Sequence, residues 1–456
     1  MTESYFRMVP TICRRAIARG DTYTSEEELR MKRKFLRKTG ALLLALSMVG
    51  SGMCYVPAQV QAEETSTEGN VIDGYDVSKE YTVSQDGVTY HAYLSQDRSQ
   101  SWIYKADVTK NCKQVKFPSS VDGTPVTRIG HSYSLNKGDE FNCNVFGEWV
   151  EYAHGVDGYK DTFKNIEKVV IPSKVTQLED TAFAGLRNLK KVILPDAVTV
   201  IPGEAFYGCK SLSSITLPKS LTTIEHTAFA DCNALKKVTL SSECRTMKVK
   251  NGCLLSKNGR TLWWVAPGLK KVTVPDTVRV IKEYAAANKV VTKVTLGKKV
   301  SDIRMFAFQS RKLKDIQIKK GNKTIAKKGQ CIYNKKNGTL LVGIAKNKKL
   351  KICSKVKKLD EKVLSLAGIR YLVRLDIPSS VKTLNGRWTE NIEVSSSGKI
   401  FFHGAEPPRV MGAVDESICY VPIFLKVYVP KKSLKKYKRW YKAQDALSYV
   451  TLKTIS

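Results

Sequence analysis

A 23-residue period constrains this chain more than any other feature. Val169-Val170-Ile171-Pro172, Val192-Ile193-Leu194-Pro195 and Ile215-Thr216-Leu217-Pro218 begin 23 residues apart and align without gaps. The same offsets recur inside each unit: Val175, Val198 and Leu221, then Leu178, Ile201 and Ile224, then Ala182-Phe183, Ala205-Phe206 and Ala228-Phe229, then Leu189, Leu212 and Leu235. Apolar-x-apolar-Pro reads as a short strand with alternate residues inward, ended by a proline that has no N–H to donate. Ala-Phe followed by Leu reads as a short helical or turn segment with one apolar side. One such unit cannot close a core. It must stack on its neighbours, which makes the chain a solenoid.

Beyond Leu235 the register persists in altered form. Val238 to Ile281 resembles Ile316 to Leu359 at a constant offset of 78, with Cys253-Leu254-Leu255 matching Cys331-Ile332-Tyr333. Asn258-Gly259 and Asn337-Gly338, each flanked by apolar residues, predict a β-hairpin insertion in both places. Shortened ordinary units begin at Val294 and Leu375, and an early copy is expected around Phe117-Pro118 to Ile129.

These residues resemble the BspA-type leucine-rich repeat family. Ala205-Phe206-Tyr207-Gly208-Cys209-Lys210-Ser211-Leu212 matches its unit fully, and Ala228-Phe229-Ala230-Asp231-Cys232 matches with Asp for Gly. Asn251-Gly252-Cys253-Leu254-Leu255 is similar to the family's hairpin inserts. Ala286 departs from the Phe position, and Gly297 and Cys353 depart from Pro. The resemblance implies an α/β repeat: a leucine-rich-repeat solenoid of 22–25-residue units with β-hairpin insertions and N- and C-terminal caps. It also implies surface-exposed proteins that engage host matrix or other cells.

The flanks divide the rest. Met31-Lys32-Arg33-Lys34, the uncharged run from Thr39 and the small residue Ala62 read as a signal peptide within 1–62. Met31 is an alternative start, and an uncleaved anchor is the alternative to cleavage, because 24 uncharged residues suffice to span a bilayer. Residues 63–72 read as a polar linker, 73–168 as an N-terminal cap region and 169–384 as the solenoid. Residues 385–456 read as a C-terminal cap with a turn at Ser395-Ser396-Ser397-Gly398 and a basic, aromatic helix from Ser433 to about Ala446. The expected location is secreted or at the extracellular cell surface.

Nothing in the sequence announces catalysis. There is no H-E-x-x-H, G-x-S-x-G, P-loop or G-x-G-x-x-G, and no C-x-x-C for a metal. No catalytic, metal or cofactor residues are expected. Cys112 or Cys143 with His131 or His154 is the one enzymatic option, a hydrolase site in the N-terminal flank. His226 falls at a variable repeat turn and is expected to be exposed. The cysteines beyond residue 62 are odd in number, nine, and several fall on repeat positions, where a buried thiol is the bland reading and a disulfide the other.

Charge is the remaining signal. The chain has formal charge +34, and removing residues 1–62 takes away 10 of 76 basic and 5 of 42 acidic residues, leaving +29. Lys289 to Lys362 holds 23 basic against 4 acidic residues. Its pairs Lys298-Lys299, Lys319-Lys320, Lys327-Lys328, Lys335-Lys336, Lys348-Lys349 and Lys357-Lys358 are expected to stack into a basic stripe, against the alternative of dispersed, solubilising lysines. Trp263-Trp264 is the candidate aromatic contact, one ring inward and one outward by strand alternation. A stripe would attract polyanions. The expected function is binding: adhesion to a host surface or matrix protein or acidic glycan, or, alternatively, a structural role held by charge to an anionic cell-wall polymer.

Overall fold

The computed structural model describes residues 71–109, 111–132, 144–146, 165–241, 243–310, 312–360, 365–367, 372–385, 394–411, 425–443 and 450–455. All lie in one compact unit, Glu68–Val150 with Asp157–Ser456. The signal-peptide segment 1–62, most of the linker, Cys143, His154 and Cys419 lie outside these residues.

Two lines of parallel strands run through this unit. The first is made by the apolar-x-apolar-Pro segments. Gln114–Lys116, Lys168–Val170 and Lys191–Ile193 pair in parallel, as do Ser214–Leu217 with Lys237–Leu240 and Lys271–Thr273, Lys293–Leu296 and Asp315–Ile318. The first of these is the expected early copy. The second line is made by the short apolar stretch after each turn, as in Val200–Ile201 against Thr223–Ile224. Equivalent positions of successive coils are direct partners, so Val169 sits beside Val192 and Ile215 beside Val238.

Between the lines the Ala-Phe segments form turns, and the α/β expectation gives way to a mostly-β solenoid. Their donors explain this. Phe183 N–H donates to the Ala205 carbonyl of the next coil at 2.8 Å, and Phe206 N–H to that of Ala228 at 2.9 Å. Groups that a helix would use within one segment are therefore spent between coils. Thr181 and Glu204, just before Ala182 and Ala205, also have φ of 60° and 56°, outside the helical region. Leu434–Lys442 is the only α-helix among the described residues.

This geometry stacks the phenylalanines. Phe183 and Phe206 lie 5.4 Å apart at 19°, and Phe206 and Phe229 5.2 Å apart at 6°. Trp264 supplies the next rung, 5.4 Å from Phe229, and the coil after it carries Ala286 at the Phe position. The cysteines lie alongside. Cys209 and Cys232 thiols donate to the carbonyls of Phe183 and Phe206. The seven described cysteines are free, and all except Cys353 are buried. Burial pushes the Cys253 thiol up to about 12.

Each expected hairpin is a three-stranded meander. Met247–Lys250, Cys253–Ser256 and Thr261–Val265 pair antiparallel, and the third then pairs in parallel with Val280–Ile281. Ile325–Lys328, Cys331–Asn334 and Leu340–Ile344 repeat the antiparallel part of the plan, and the third strand pairs in parallel with Ser365–Ala367. The N-terminal region does the same with longer strands. Tyr75–Gln85, Val88–Ser95 and Ser101–Val108 form a meander whose last strand pairs in parallel with Thr124–Ile129. The reversals at Asn251-Gly252 and Asp86-Gly87 both have two residues at positive φ, as tight hairpin turns require. The described residues from 73 to 132 are thus a larger version of the inserted meander joined to a first coil. Arg128, 4% exposed, pins the two together by pairing with Asp73 and Glu179 over the Trp102 ring.

The parallel register does not stop at Leu384. Lys349–Lys351, Leu372–Ile377, Val394–Phe402, Leu425–Pro430 and Val450–Ile455 form one five-stranded parallel ladder. Residues 395–398, expected as a turn, are part of its third strand. The basic helix connects its last two strands, with Tyr437 and Tyr441 buried.

Replacing Phe206 with alanine removes the central rung of the stack. It is expected to cost about 3–5 kcal/mol in denaturant unfolding. A cost below about 1 kcal/mol would contradict a continuous aromatic core.

Candidate functional site

The lysine pairs do not form one stripe. Lys298-Lys299 and Lys319-Lys320 follow strands of the first line, and Lys319 is bound by Asp276 at 3.1 Å. Lys327 of the second meander pairs with Asp315, and its neighbour Lys328 reaches Ser354. Lys335 donates to the Asn322 carbonyl at 2.6 Å, with Lys336 beside it in the hairpin turn. Lys348-Lys349 opens a first-line strand, whereas Lys357-Lys358 opens a second-line strand, where Lys358 pairs with Asp360. They diverge because pairs spaced by sequence alone fall on inserts, turns and both strand lines.

A different set is in register. Every first-line strand has an inward apolar residue, and the residue before it points outward. In chain order these outward residues are Gln114, Lys168, Lys191, Ser214, Lys237, Lys271, Lys293, Asp315, Lys349, Arg374, Lys399, Lys426 and Thr451. Of the earlier candidates only Lys349 belongs to this row. The signal was present in the sequence as a cation directly before the inward residue, as in Lys237-Val238, Lys271-Val272 and Lys293-Val294. Reading it required the strand register, which pairs of lysines do not reveal.

The row is densest in the C-terminal ladder. Lys349 pairs in register with Arg374, Arg374 with Lys399 and Lys399 with Lys426. Four cations therefore fall within about 15 Å along the ladder, given about 4.8 Å between strands. Two positions further along each strand comes a second outward row: Lys351, Asp376, Phe401, Tyr428 and Lys453. Phe401 and Tyr428 stack at 4.5 Å. The Arg374 guanidinium lies over Phe401 at 3.9 Å, and Lys399 Nζ lies 5.9 Å from the Tyr428 ring centre. The rings thus hold the cations in place.

One carboxylate interrupts the charge. Asp376 accepts hydrogen bonds from Arg374 Nε and Nη2 at 2.7 and 2.8 Å and faces His403 Nε2 at 3.0 Å. Burial pushes the Asp376 carboxyl up, but the hydrogen bonds and charges of Arg374 and His403 outweigh it, so the group lies below the usual carboxylate range. Gln330, Lys349, Lys351, Arg374, Asp376 and His403 line a shallow pocket of about 400 Å³ here.

The other candidates separate. Trp264 is inward and 6% exposed, whereas Trp263 is 37% exposed with Lys282 Nζ 5.5 Å from its ring centre. His226 is not an exposed turn residue. It stacks on Tyr284 at 4.3 Å, and burial lowers its imidazole pKa. His91, which has no carboxylate near it in sequence, is brought by the N-terminal meander between Glu80 and Asp107, at 3.1 and 2.8 Å. Cys112 donates to the Gln114 carbonyl, and burial pushes its thiol up. That is the opposite of an activated nucleophile.

A family match agrees with the repeat array. Residues 158–255 and 265–391 match the BspA type leucine rich repeat region in six copies. The repeat array is a BspA-type leucine-rich repeat region. No curated protein sequence matches the chain. Among solved structures, a leucine-rich repeat protein from Eubacterium ventriosum is 17% identical, covering 74% of this chain and 91% of its own, with a TM-score of 0.35. The pneumococcal vaccine antigen PcpA is 14% identical over 82% of this chain and 99% of its own, with a TM-score of 0.37. A leucine rich cell surface protein from Faecalibacterium prausnitzii is 16% identical over 75% and 98%, with a TM-score of 0.30.

Like charges directly opposite on paired strands destabilise a sheet. Lys399→Gln is therefore expected to raise Tm by about 1–2 °C at low salt. The gain should fade near 1 M salt, where the Debye length is about 3 Å. A loss of stability at low salt would contradict a repulsive row. In the same preparation, an aqueous quencher should reach Trp263 and leave Trp264 unquenched, and equal quenching of Trp263→Phe and Trp264→Phe variants would count against the assignment.

Proposed function

We propose that this protein is a secreted or cell-surface binding protein that adheres to anionic polymers on a host surface through the basic outward row of its first strand line. The observation that carries this is the in-register run Lys349, Arg374, Lys399 and Lys426. Such a run opposes sheet stability by itself, and a bound polyanion relieves the repulsion. The array's family supports the location. The prevalence of lysine suits diffuse attraction to a charged chain more than bidentate recognition of single groups. Exposed Trp263, beside Lys282, serves as a secondary contact in this reading.

The test is a salt titration of binding to heparin, a polyanion of known charge spacing. Log affinity should fall linearly with log salt, as counterion release requires. Lys399→Gln with Lys426→Gln should weaken binding and flatten the slope, whereas Lys335→Gln with Lys336→Gln, in the hairpin turn, should do neither. Equal loss from both double variants would point to net charge alone and contradict the row. Retention on the producing cell that is released by high salt, with no binding to host polyanions, would move the ligand to the cell's own wall.

A further inference from the structure

The pocket beside Lys349 has a feature that a site for bare polyanions has no use for: a carboxylate and an imidazole set among the cations. We infer that it binds an acidic sugar unit, with ring hydroxyls and a carboxylate on one residue, as in a polyuronate. This rests on the polyanion reading above and specifies its ligand.

The pocket wall holds unspent hydrogen-bonding capacity. An ionised carboxylate offers about four acceptor sites. Asp376 uses three, on Arg374 Nε, Arg374 Nη2 and His403 Nε2. One acceptor position remains in the pocket wall. His403, with a side chain 42% exposed, has a second ring nitrogen. With Nε2 engaged by Asp376, Nδ1 is the ring nitrogen left for a ligand. A hydroxyl, both donor and acceptor, suits both groups, whereas the open acceptor of Asp376 is a poor partner for a phosphate chain, which supplies only acceptors and negative charge.

The complementary half of the ligand is served by Lys349 and Lys351. Both side chains are exposed, and neither ammonium has an ion-pair partner among the described residues. They lie two residues apart on one strand and so point to the same side of the sheet. Arg374 is held in place by Asp376 and by the Phe401 ring. Gln330 is not a ligand group, because its amide is spent on the carbonyls of Ile344 and Lys349 and on Lys351 N–H. A pocket of about 400 Å³ falls in the size range of small-molecule sites. The cation row continuing through Lys399 and Lys426 then gives further acidic units of the same chain a path.

The experiment compares the full protein's affinity for oligogalacturonate and for polyphosphate of equal charge, at fixed salt and neutral pH. The wild-type protein should favour the oligogalacturonate. Asp376→Asn, which keeps the side chain's size but removes its charge and part of its acceptor capacity, should weaken oligogalacturonate binding roughly tenfold, the scale of a hydrogen bond with a charged partner. It should leave polyphosphate binding equal or tighter, because a negative charge has gone. His403→Ala, at an exposed position, should repeat the selective loss and covers the case in which Asp376→Asn unfolds. If both variants leave the two affinities unchanged, or shift them together, the sugar site is overturned while the polyanion reading stands. If wild-type protein binds neither probe, the polyanion reading falls with it.

Discussion

Every part of this molecule depends on coil-to-coil register. A single 23-residue unit buries too little to fold, so its apolar residues find partners only in the units on either side. Backbone hydrogen bonds between coils fix that register, from Val169 beside Val192 to Ile400 beside Val427. The phenylalanine stack follows, since residues at one repeat position are forced into line. So does the outer surface. Once the inward residue of each strand is set, the residue before it must face outward in the same row.

The register also explains how the insertions are tolerated. The first inserted meander ends in a strand that takes a place in the second parallel line, so the solenoid resumes without a change of phase. Trp264 shows the benefit at the core. It arrives on an inserted strand and continues the aromatic stack where the following coil offers only Ala286. The N-terminal meander uses the same join, through Ser101–Val108 and Thr124–Ile129, with Arg128 as a buried pin.

Much of this was legible in the sequence. The 23-residue offsets gave the coils, Asn258-Gly259 and Asn337-Gly338 marked the inserts, and alternation separated Trp263 from Trp264. The turns in place of helices were less visible, because Ala-Phe patterns suit either state and only the inter-coil donors decide between them. The C-terminal ladder was missed for a related reason. Without prolines at regular spacing, Val394–Phe402 read as a serine-rich turn, although Ile400 and Phe402 alternate inward like any other strand of the line. The outward row of cations differs from the lysine pairs that the sequence brings to notice. Lysine pairs draw the eye, but a pair on a strand has only one residue facing out. The row is made of single cations at a fixed offset from the inward residue, and Asp376 with His403 joins it only through strands 27 residues apart in sequence.

In the proposed function one outward row, and not the lysine-rich region as a whole, meets the ligand. Lysine acylation footprinting, read by mass spectrometry with and without heparin, tests it most directly. Lys349, Lys399 and Lys426 should be protected, while Lys335 and Lys336, exposed in the hairpin turn, keep the reactivity they show without heparin. Uniform protection of all five lysines, or protection of the hairpin pair alone, would contradict the account.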